Sequence, residues 1–248
     1  MESQECAREM REVIVHRGGR FMASPQLATH ERRLGVPPRS LYFRGRSAVL
    51  GDPPAGVVAD LFGIFPGWLV DLALGATAAV PAGEAVDEFA GACADWAEEH
   101  LGAVDDRDRL ADHLYAVADA ADASALPLFS GWRATTRPDG DTARLGHAML
   151  VVRELRGGLH FAALRAAGMG VVDAVLADPE VGPDRLRQTG WRPQDVDDAV
   201  ARRADDPDRA ATRRAEAEER TDAAFGACLD VLGADGRAEL AAGLAHAA

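Results

Sequence analysis

The residues best suited to chemistry lie between positions 147 and 160. This segment contains two histidines, one glutamate and two arginines, namely His147, Arg153, Glu154, Arg156 and His160. A histidine near a carboxylate can act as a general base, and arginines bind anions. On a regular helix His147 and Glu154 lie on one side but about 10 Å apart, so each needs its own partner if it is buried. The segment predicts a polar cluster facing a pocket or a partner, or else ion pairs that hold two helices together.

A second group of candidates lies near the N-terminus. Tyr42 and Arg46 are four residues apart and can share one face of a helix, where they could contact an anion or another ligand. The alternative is an aromatic packing anchor with a surface arginine. Phe62 follows in a very apolar stretch. The candidate ligand-binding residues are therefore Tyr42, Arg46, Phe62, His147, Arg153, Glu154, Arg156 and His160.

The sequence lacks the standard signatures of catalysis and cofactor binding. It has no nucleophile elbow, no H-E-x-x-H and no paired C-x-x-C, and its three cysteines are far apart. The absence of lysine excludes a Schiff base and a P-loop. We therefore expect no metal and no cofactor, and no catalytic residue can be assigned. A cofactor-free enzyme that uses His147, Glu154 and His160 is the alternative to a binding protein.

Charge and hydropathy narrow the classes of partner. The chain has a net charge of −13, with 15 acidic residues and only 2 arginines between positions 51 and 130. Because phosphate contacts dominate affinity for nucleic acids, this balance disfavours DNA as a partner. The longest apolar stretch, around 61–80, is interrupted by glycine, proline and aspartate, which is typical of buried helix rather than a membrane span. With no signal-peptide pattern at the N-terminus, we expect a cytoplasmic protein.

Apolar periodicity predicts a mainly α fold with no convincing strand. A proline- and glycine-containing loop separates an N-terminal helical half, 1–135, from a C-terminal half, 140–248, although one continuous domain is also compatible with the pattern. In the second half we predict a helix over 142–156 that ends at Gly157-Gly158, a short helix over 159–167 and another over 171–176. This is a helix-turn-helix pattern. The last of these helices offers Asp173 but no Arg, Asn or Gln to read base edges.

Several blocks of sequence point to a family. The blocks are Tyr42-Phe43-Arg44-Gly45-Arg46, Gly146-His147-Ala148, Arg153-Glu154-Leu155-Arg156-Gly157-Gly158-Leu159-His160, Gly190-Trp191 and Thr221-Asp222. Together they resemble the SalK-like helix-turn-helix family of high-GC bacteria, some members of which are labelled EvbL. The resemblance implies a winged-helix-like C-terminal half and no settled activity.

The chain departs from the family pattern at a few positions. The family's second histidine, its aspartate and one of its tyrosines are replaced by Leu155, Gly158 and Gly63, and the interval 192–220 lacks the signature that builds a wing. We therefore predict a reduced wing. The expected function is small-ligand binding or regulation, and a homodimer is expected by analogy with winged-helix proteins.

Overall fold

A computed structural model of the protein describes residues 1–178, 181–203 and 207–245. Throughout these ranges the regular structure is helical and contains no strand, which confirms the mainly α prediction. The α-helices are α1 (Ser3–Glu9), α2 (Pro25–Leu34), α3 (Ser40–Ser47), α4 (Ala55–Phe62), α5 (Gly67–Ala76), α6 (Ala82–His100), α7 (Arg107–Ala120), α8 (Pro127–Arg133), α9 (Asp141–Ala166), α10 (Val171–Leu176), α11 (Gly182–Gln188), α12 (Pro193–Arg203), α13 (Pro207–Leu229) and α14 (Gly233–Ala245). None of these described helices is long and apolar enough to cross a membrane.

Local chemistry accounts for the helix ends. The side chain of Ser24 accepts a hydrogen bond from the backbone N–H of Leu27 at 3.2 Å, and Pro25 occupies the first position of α2. Gly35 ends that helix in the left-handed conformation, with φ 67°. Gly63 ends α4 in the same way, with φ 69°, and Pro66 is the residue immediately before α5, so the chain does not continue as one helix from α4 to α5.

Helix α9 lies at the centre of the protein. It packs against α6, α7, α8 and α13, and nearly every side chain from Leu145 to Arg156 is buried. The large apolar core around it contains residues from both ends of the chain, from Cys6 to Leu244. This core crosses the boundary predicted between 1–135 and 140–248, and the division into two halves stays a prediction.

The predicted break at Gly157-Gly158 is wrong, because α9 runs through both glycines to Ala166. A glycine inside a helix costs about 1 kcal/mol relative to alanine, which is less than the packing energy of the buried turns before and after it. Gly158 has a steric role, since a Cβ atom at this position would lie 2.6 Å from Cδ2 of Leu126. The segment 159–167 is therefore the last part of α9 and not a separate helix.

Helices α10, α11 and α12 form a compact group that we call the helix-turn-helix unit. They contact one another around a small apolar core of Leu176, Leu186, Val196 and Ala199. Residues 189–192 join α11 to α12 in a tight turn, in which Gly190 has φ 93° and a Cβ atom would meet Leu69 at 2.7 Å.

The helix-turn-helix unit differs from the pair of helices predicted by the sequence. The predicted reading helix, 171–176, is only six residues long and buries Leu176 in the core of the unit and Ala174 against residues of α9 and α13. The outward-facing helix after the tight turn is instead α12. The described residues of the interval 192–220 belong to α12 and α13, so helices occupy the place predicted for a reduced wing.

Candidate functional site

The predicted site residues fall into three separate groups along α9. We call them the Glu154 cluster, with Tyr42, Arg46, Phe62 and Arg153, the Arg156 cluster, with His160, and the His147 cluster. His147 precedes Glu154 by two helical turns, and His160 follows it by almost two more, so the spacing along the helix is about 10 Å in each direction. His147, Glu154 and His160 therefore do not converge on one point.

The Glu154 cluster joins α9 to α3. Arg46 donates to both carboxylate oxygens of Glu154, from Nε to Oε1 at 2.9 Å and from Nη2 to Oε2 at 2.8 Å. Its remaining nitrogen, Nη1, donates to the hydroxyl of Tyr42 at 3.0 Å. The guanidinium also lies 4.4 Å from the centre of the Phe62 ring, within the range of a cation–π contact. Arg153 adds a hydrogen bond of 3.1 Å to Oε1 of Glu154.

This arrangement determines the charge state of Glu154, which is almost fully buried. Burial opposes ionisation of the carboxyl, but Arg46 and Arg153 outweigh it and hold the pKa of Glu154 below its usual range. Both carboxylate oxygens are thereby occupied by protein donors. The sequence predicted Tyr42, Arg46, Phe62 and Glu154 as ligand-binding candidates, and the structure brings these four together with Arg153.

The Arg156 cluster joins α9 to α13. Arg156 donates to Glu218 at 3.0 Å and to Asp222 at 3.2 Å, and Arg11 also binds Asp222. Nδ1 of His160 lies 3.1 Å from the hydroxyl of Thr221. Burial lowers the pKa of His160, although Glu218 favours the charged form.

His147 stands apart from the other predicted residues. It is buried between α7 and the segment after α8, with Nδ1 2.8 Å from the Tyr115 hydroxyl and Nε2 2.8 Å from the Thr135 hydroxyl. Burial, together with the positive charge of Arg137, lowers the pKa of His147 to about 4. The imidazole is therefore neutral at physiological pH and both of its nitrogens have protein partners.

These three clusters hold helices together, and most of their polar atoms have protein partners, although Nε of Arg153 and Nε of Arg156 are buried without one. The described residues contain no group of three or more His, Cys, Asp and Glu side chains arranged to hold a metal ion. The side chains that point into an open space lie elsewhere.

A cavity of about 530 Å³ lies between the helix-turn-helix unit and α13. Its apolar surface comes from Met169, Val172 and Trp191, and Asp173 lies on the same wall. Three arginines face it, Arg202 from α12 and both Arg209 and Arg213 from α13.

The polar groups of the cavity differ from those of α9. Within the described part of the chain Arg202 and Arg213 make no ion pair and no hydrogen bond, whereas Arg214, next to Arg213, pairs with Asp178 at 3.3 Å. The indole N–H of Trp191 donates to the carbonyl of Ile64 at 2.7 Å, which fixes the ring against the segment between α4 and α5. Among the lining residues of the cavity, the sequence pointed only to Trp191, as half of the Gly-Trp pair, and to Asp173, as a residue unsuited to reading bases.

Three short helices packed around one apolar centre, with a tight turn between the second and the third, define a helix-turn-helix protein. A model of a helix-turn-helix family matches residues 7–248, which is nearly the whole chain, and the chain belongs to this Helix-turn-helix family. No curated protein and no solved structure matches it. The family match gives the class of protein and its architecture, and the arrangement of the cavity is what bears on a ligand.

Proposed function

We propose that this chain is a small-ligand-binding regulatory protein of the SalK-like group of helix-turn-helix proteins. The observation that carries the proposal is the cavity, which has helix-turn-helix residues on one side and α13 on the other. Its volume of about 530 Å³ lies in the range of pockets that enclose one small organic molecule. In this proposal the clusters on α9 hold the surrounding helices in place, and the helix-turn-helix unit moves relative to them.

The position of the cavity couples ligand binding to regulation. Met169 and Val172 approach it from the turn before α10 and from α10 itself, while Arg202 comes from α12. The opposite wall is α13, which packs along α1 and α9. A ligand that contacts both walls binds more tightly when the helix-turn-helix unit is in one position than when it is in another. This difference in affinity shifts the protein toward the first position, which is what regulation by a ligand requires.

The surface of α12 argues for a partner other than DNA bases. Its exposed positions include Gln194, Asp197, Asp198 and Val200, so negative charge dominates the middle of the helix. Carboxylates facing the major groove would repel phosphates, and they can accept hydrogen bonds only from the exocyclic amino groups of cytosine and adenine. We therefore place DNA second among partners, supported by the family membership alone.

The proposed ligand function is tested with a variant that fills the cavity. Ala210 of α13 lines it and is partly exposed, so Ala210→Phe should occupy the space while the helix remains intact. We expect wild-type protein to gain thermal stability in a fractionated small-molecule extract, with a mass-spectrometric signature of bound compound, and the variant to gain none. Ala215→Phe, at an exposed position of α13 outside the cavity lining, is the matched control. Equal responses from wild type and Ala210→Phe would reject the cavity as the ligand site.

Binding to random duplex DNA at low and moderate ionic strength separates the two partners. We expect no binding, because the protein as a whole is acidic. Clear binding that falls steeply with salt would instead make DNA-binding regulation the function. Light scattering on the same sample tests the proposed homodimer, for which the expected mass is twice 26.2 kDa.

A further inference from the structure

We propose that the ligand of this cavity is an amphipathic anion, a small molecule with an apolar body and one carboxylate, phosphate or sulfonate group. This inference rests on the proposed ligand-binding function and specifies the chemistry of the ligand. It is carried by the juxtaposition of Arg202 and Arg213 with the apolar surface of Met169, Val172 and Trp191.

The charge of the cavity contrasts with that of the whole protein. The chain has a net charge of −13, yet three arginines face this cavity and Asp173 is the acidic residue among its lining side chains. Elsewhere in the described structure, arginines of this part of the chain pair with neighbouring carboxylates, as Arg187 does with Asp184 and Arg214 does with Asp178. Arg202 and Arg213, which pair with no carboxylate among the described residues, leave a positive charge that fits an anion supplied from outside.

Arg202 and Arg213 are placed to bind that anion together. They come from different helices, α12 and α13, and both line the same cavity without a hydrogen bond or ion pair within the described residues. Arg213 is partly buried and its guanidinium carbon lies 3.9 Å from the position of a Cβ atom on Gly168, so it is held against the turn after α9. A guanidinium group offers several donors in a planar fork, which matches carboxylate and phosphate oxygens.

The remaining lining requires a ligand that is apolar away from its charged group. The N–H of Trp191 is already used by the carbonyl of Ile64, so the ring offers a ligand only its carbon surface. Met169 and Val172 extend that surface, and a thioether adapts to irregular or aromatic shapes. Inorganic phosphate alone would leave this surface exposed to water and should therefore bind weakly.

The test compares anions with neutral molecules of the same shape. The probes are 2-naphthoate, octanoate and 2-naphthyl phosphate, with 2-naphthamide as the uncharged counterpart and inorganic phosphate as the anion without a body. We expect at least one of the three amphipathic anions to bind wild-type protein in titration calorimetry, and the amide and inorganic phosphate to bind about tenfold more weakly or worse.

Variants of two arginines on α13, one inside and one outside the cavity, test whether the anion binds in the cavity. Arg213→Gln should weaken binding of the anion by about tenfold or more, Arg213→Lys should retain part of it, and Arg220→Gln should leave it within about twofold. Arg220 lies on the same helix outside the cavity, so it controls for the overall loss of one positive charge. Circular dichroism melting of each variant confirms that the helix is intact.

Three outcomes overturn the proposal, and they differ in what they say about the proposed function. Binding of 2-naphthamide as tight as that of 2-naphthoate, unaffected by Arg213→Gln, rejects the anion and leaves small-ligand binding in place. Anion binding that Arg213→Gln and Arg220→Gln weaken equally rejects the site. No binding of any of the three anions rejects the anionic ligand, and the extract experiment with Ala210→Phe then decides separately whether the cavity binds another class of molecule.

Discussion

The arginines around α9 and the arginines around the cavity differ in what their guanidinium groups contact. Arg46 and Arg156 are each within hydrogen-bonding distance of buried carboxylates, Glu154 and Asp222 respectively. Arg202 and Arg213 face a cavity and have no such partner in the described residues. Arg46 and Arg156 lie at the large, continuous core, whereas Arg202 and Arg213 lie beside the helix-turn-helix unit, which has a small apolar core of its own.

This difference separates two uses of the same residue type. A buried arginine that is bonded to carboxylates on another helix fixes the distance between two helices, and its cost of desolvation is offset inside the protein. An arginine at the border of an apolar cavity keeps its donors available, so a ligand can take the place of water. The polar residues most prominent in the sequence therefore position the helices, and less prominent ones face the space a ligand could occupy.

The largest effect should come from Glu154→Gln. This change leaves Arg46 and Arg153 near a neutral amide, and uncompensated charge in a buried site is strongly destabilising, so the free energy of unfolding should fall by about 3–5 kcal/mol. Urea unfolding followed by circular dichroism measures it. Glu219→Gln, an exposed position on α13, is the control and should change stability by less than about 0.5 kcal/mol.

A double variant sharpens the same comparison. Arg46→Met combined with Glu154→Leu removes the pair and replaces it with apolar side chains, which should recover part of the loss seen in Glu154→Gln, while Arg153 still lacks its carboxylate partner. If the single variant costs less than about 1 kcal/mol, the Glu154 cluster does not fix α3 to α9, and the contrast with the cavity arginines would no longer hold.

The next effect concerns His147 and is measured as a function of pH. Its pKa is about 4 in the folded protein and 6.5 when unperturbed, so the unfolded chain binds a proton first as the pH falls. The stability that depends on a neutral His147 is complete above about pH 6.5 and is lost progressively down to about pH 4, for a total of about 3 kcal/mol. Urea unfolding at several pH values between about 7 and 5 should therefore show decreasing stability.

His147→Gln provides the matched variant. Glutamine can donate and accept like the imidazole between Tyr115 and Thr135, but it does not titrate. The slope of stability against pH should be shallower in the variant, while the contribution of the same sign from His160 remains. Identical slopes in wild type and variant would show that His147 is exposed to water and accessible to protons.

The sequence predicted the helical fold because its signals are local. Ser24-Pro25 and Gly35 predict both ends of α2, and Pro66 predicts the split between α4 and α5. Gly157-Gly158 misled the same reasoning, because Gly158 is where α9 approaches Leu126, a residue distant in sequence, and Gly157 has no close neighbour at all. A local rule for breaking helices cannot detect a close approach between two elements.

The sequence pointed to the residues of the Glu154 cluster but not to most of those of the cavity. The spacing of Tyr42 and Arg46 predicts a shared helix face, with Phe62 and Glu154 as further ligand-binding candidates, and in the structure Arg46 binds Tyr42 and Glu154 inside the protein. Arg202 and Arg213, by contrast, lie on two highly charged helices. In such helices the sequence alone does not distinguish an arginine that faces a cavity from one exposed to water. Their significance depends on which carboxylates lie nearby in space, and sequence spacing does not give that.

A third prediction tests whether the helix-turn-helix unit is energetically separate from the core around α9. Leu186 is fully buried in the small core of the unit, and Leu186→Ala should lower the hydrogen-exchange protection of α10, α11 and α12 by about 2 kcal/mol, near the low end for such changes. The amides of α6, α7 and α9 should keep their protection. Leu150→Ala, in the core of α9, should lower protection throughout the protein. Equal loss in all helices from Leu186→Ala would show that the unit and the core unfold as one body and that a ligand cannot move one against the other.

The smallest effect comes from the glycine pair and tests whether α9 is continuous. No atom lies within 4 Å of the place where a Cβ atom would stand on Gly157, so Gly157→Ala gains helix propensity at no steric cost and should raise the free energy of unfolding by up to about 1 kcal/mol. Gly158→Ala should gain less, because its Cβ atom would stand 2.6 Å from Leu126 and that side chain must move. Urea unfolding of both variants measures the order. A loss of stability in Gly157→Ala would mean that the helix bends or ends at this position, and the fixed spacing between Glu154 and His160, which lie on either side of it, would then be lost.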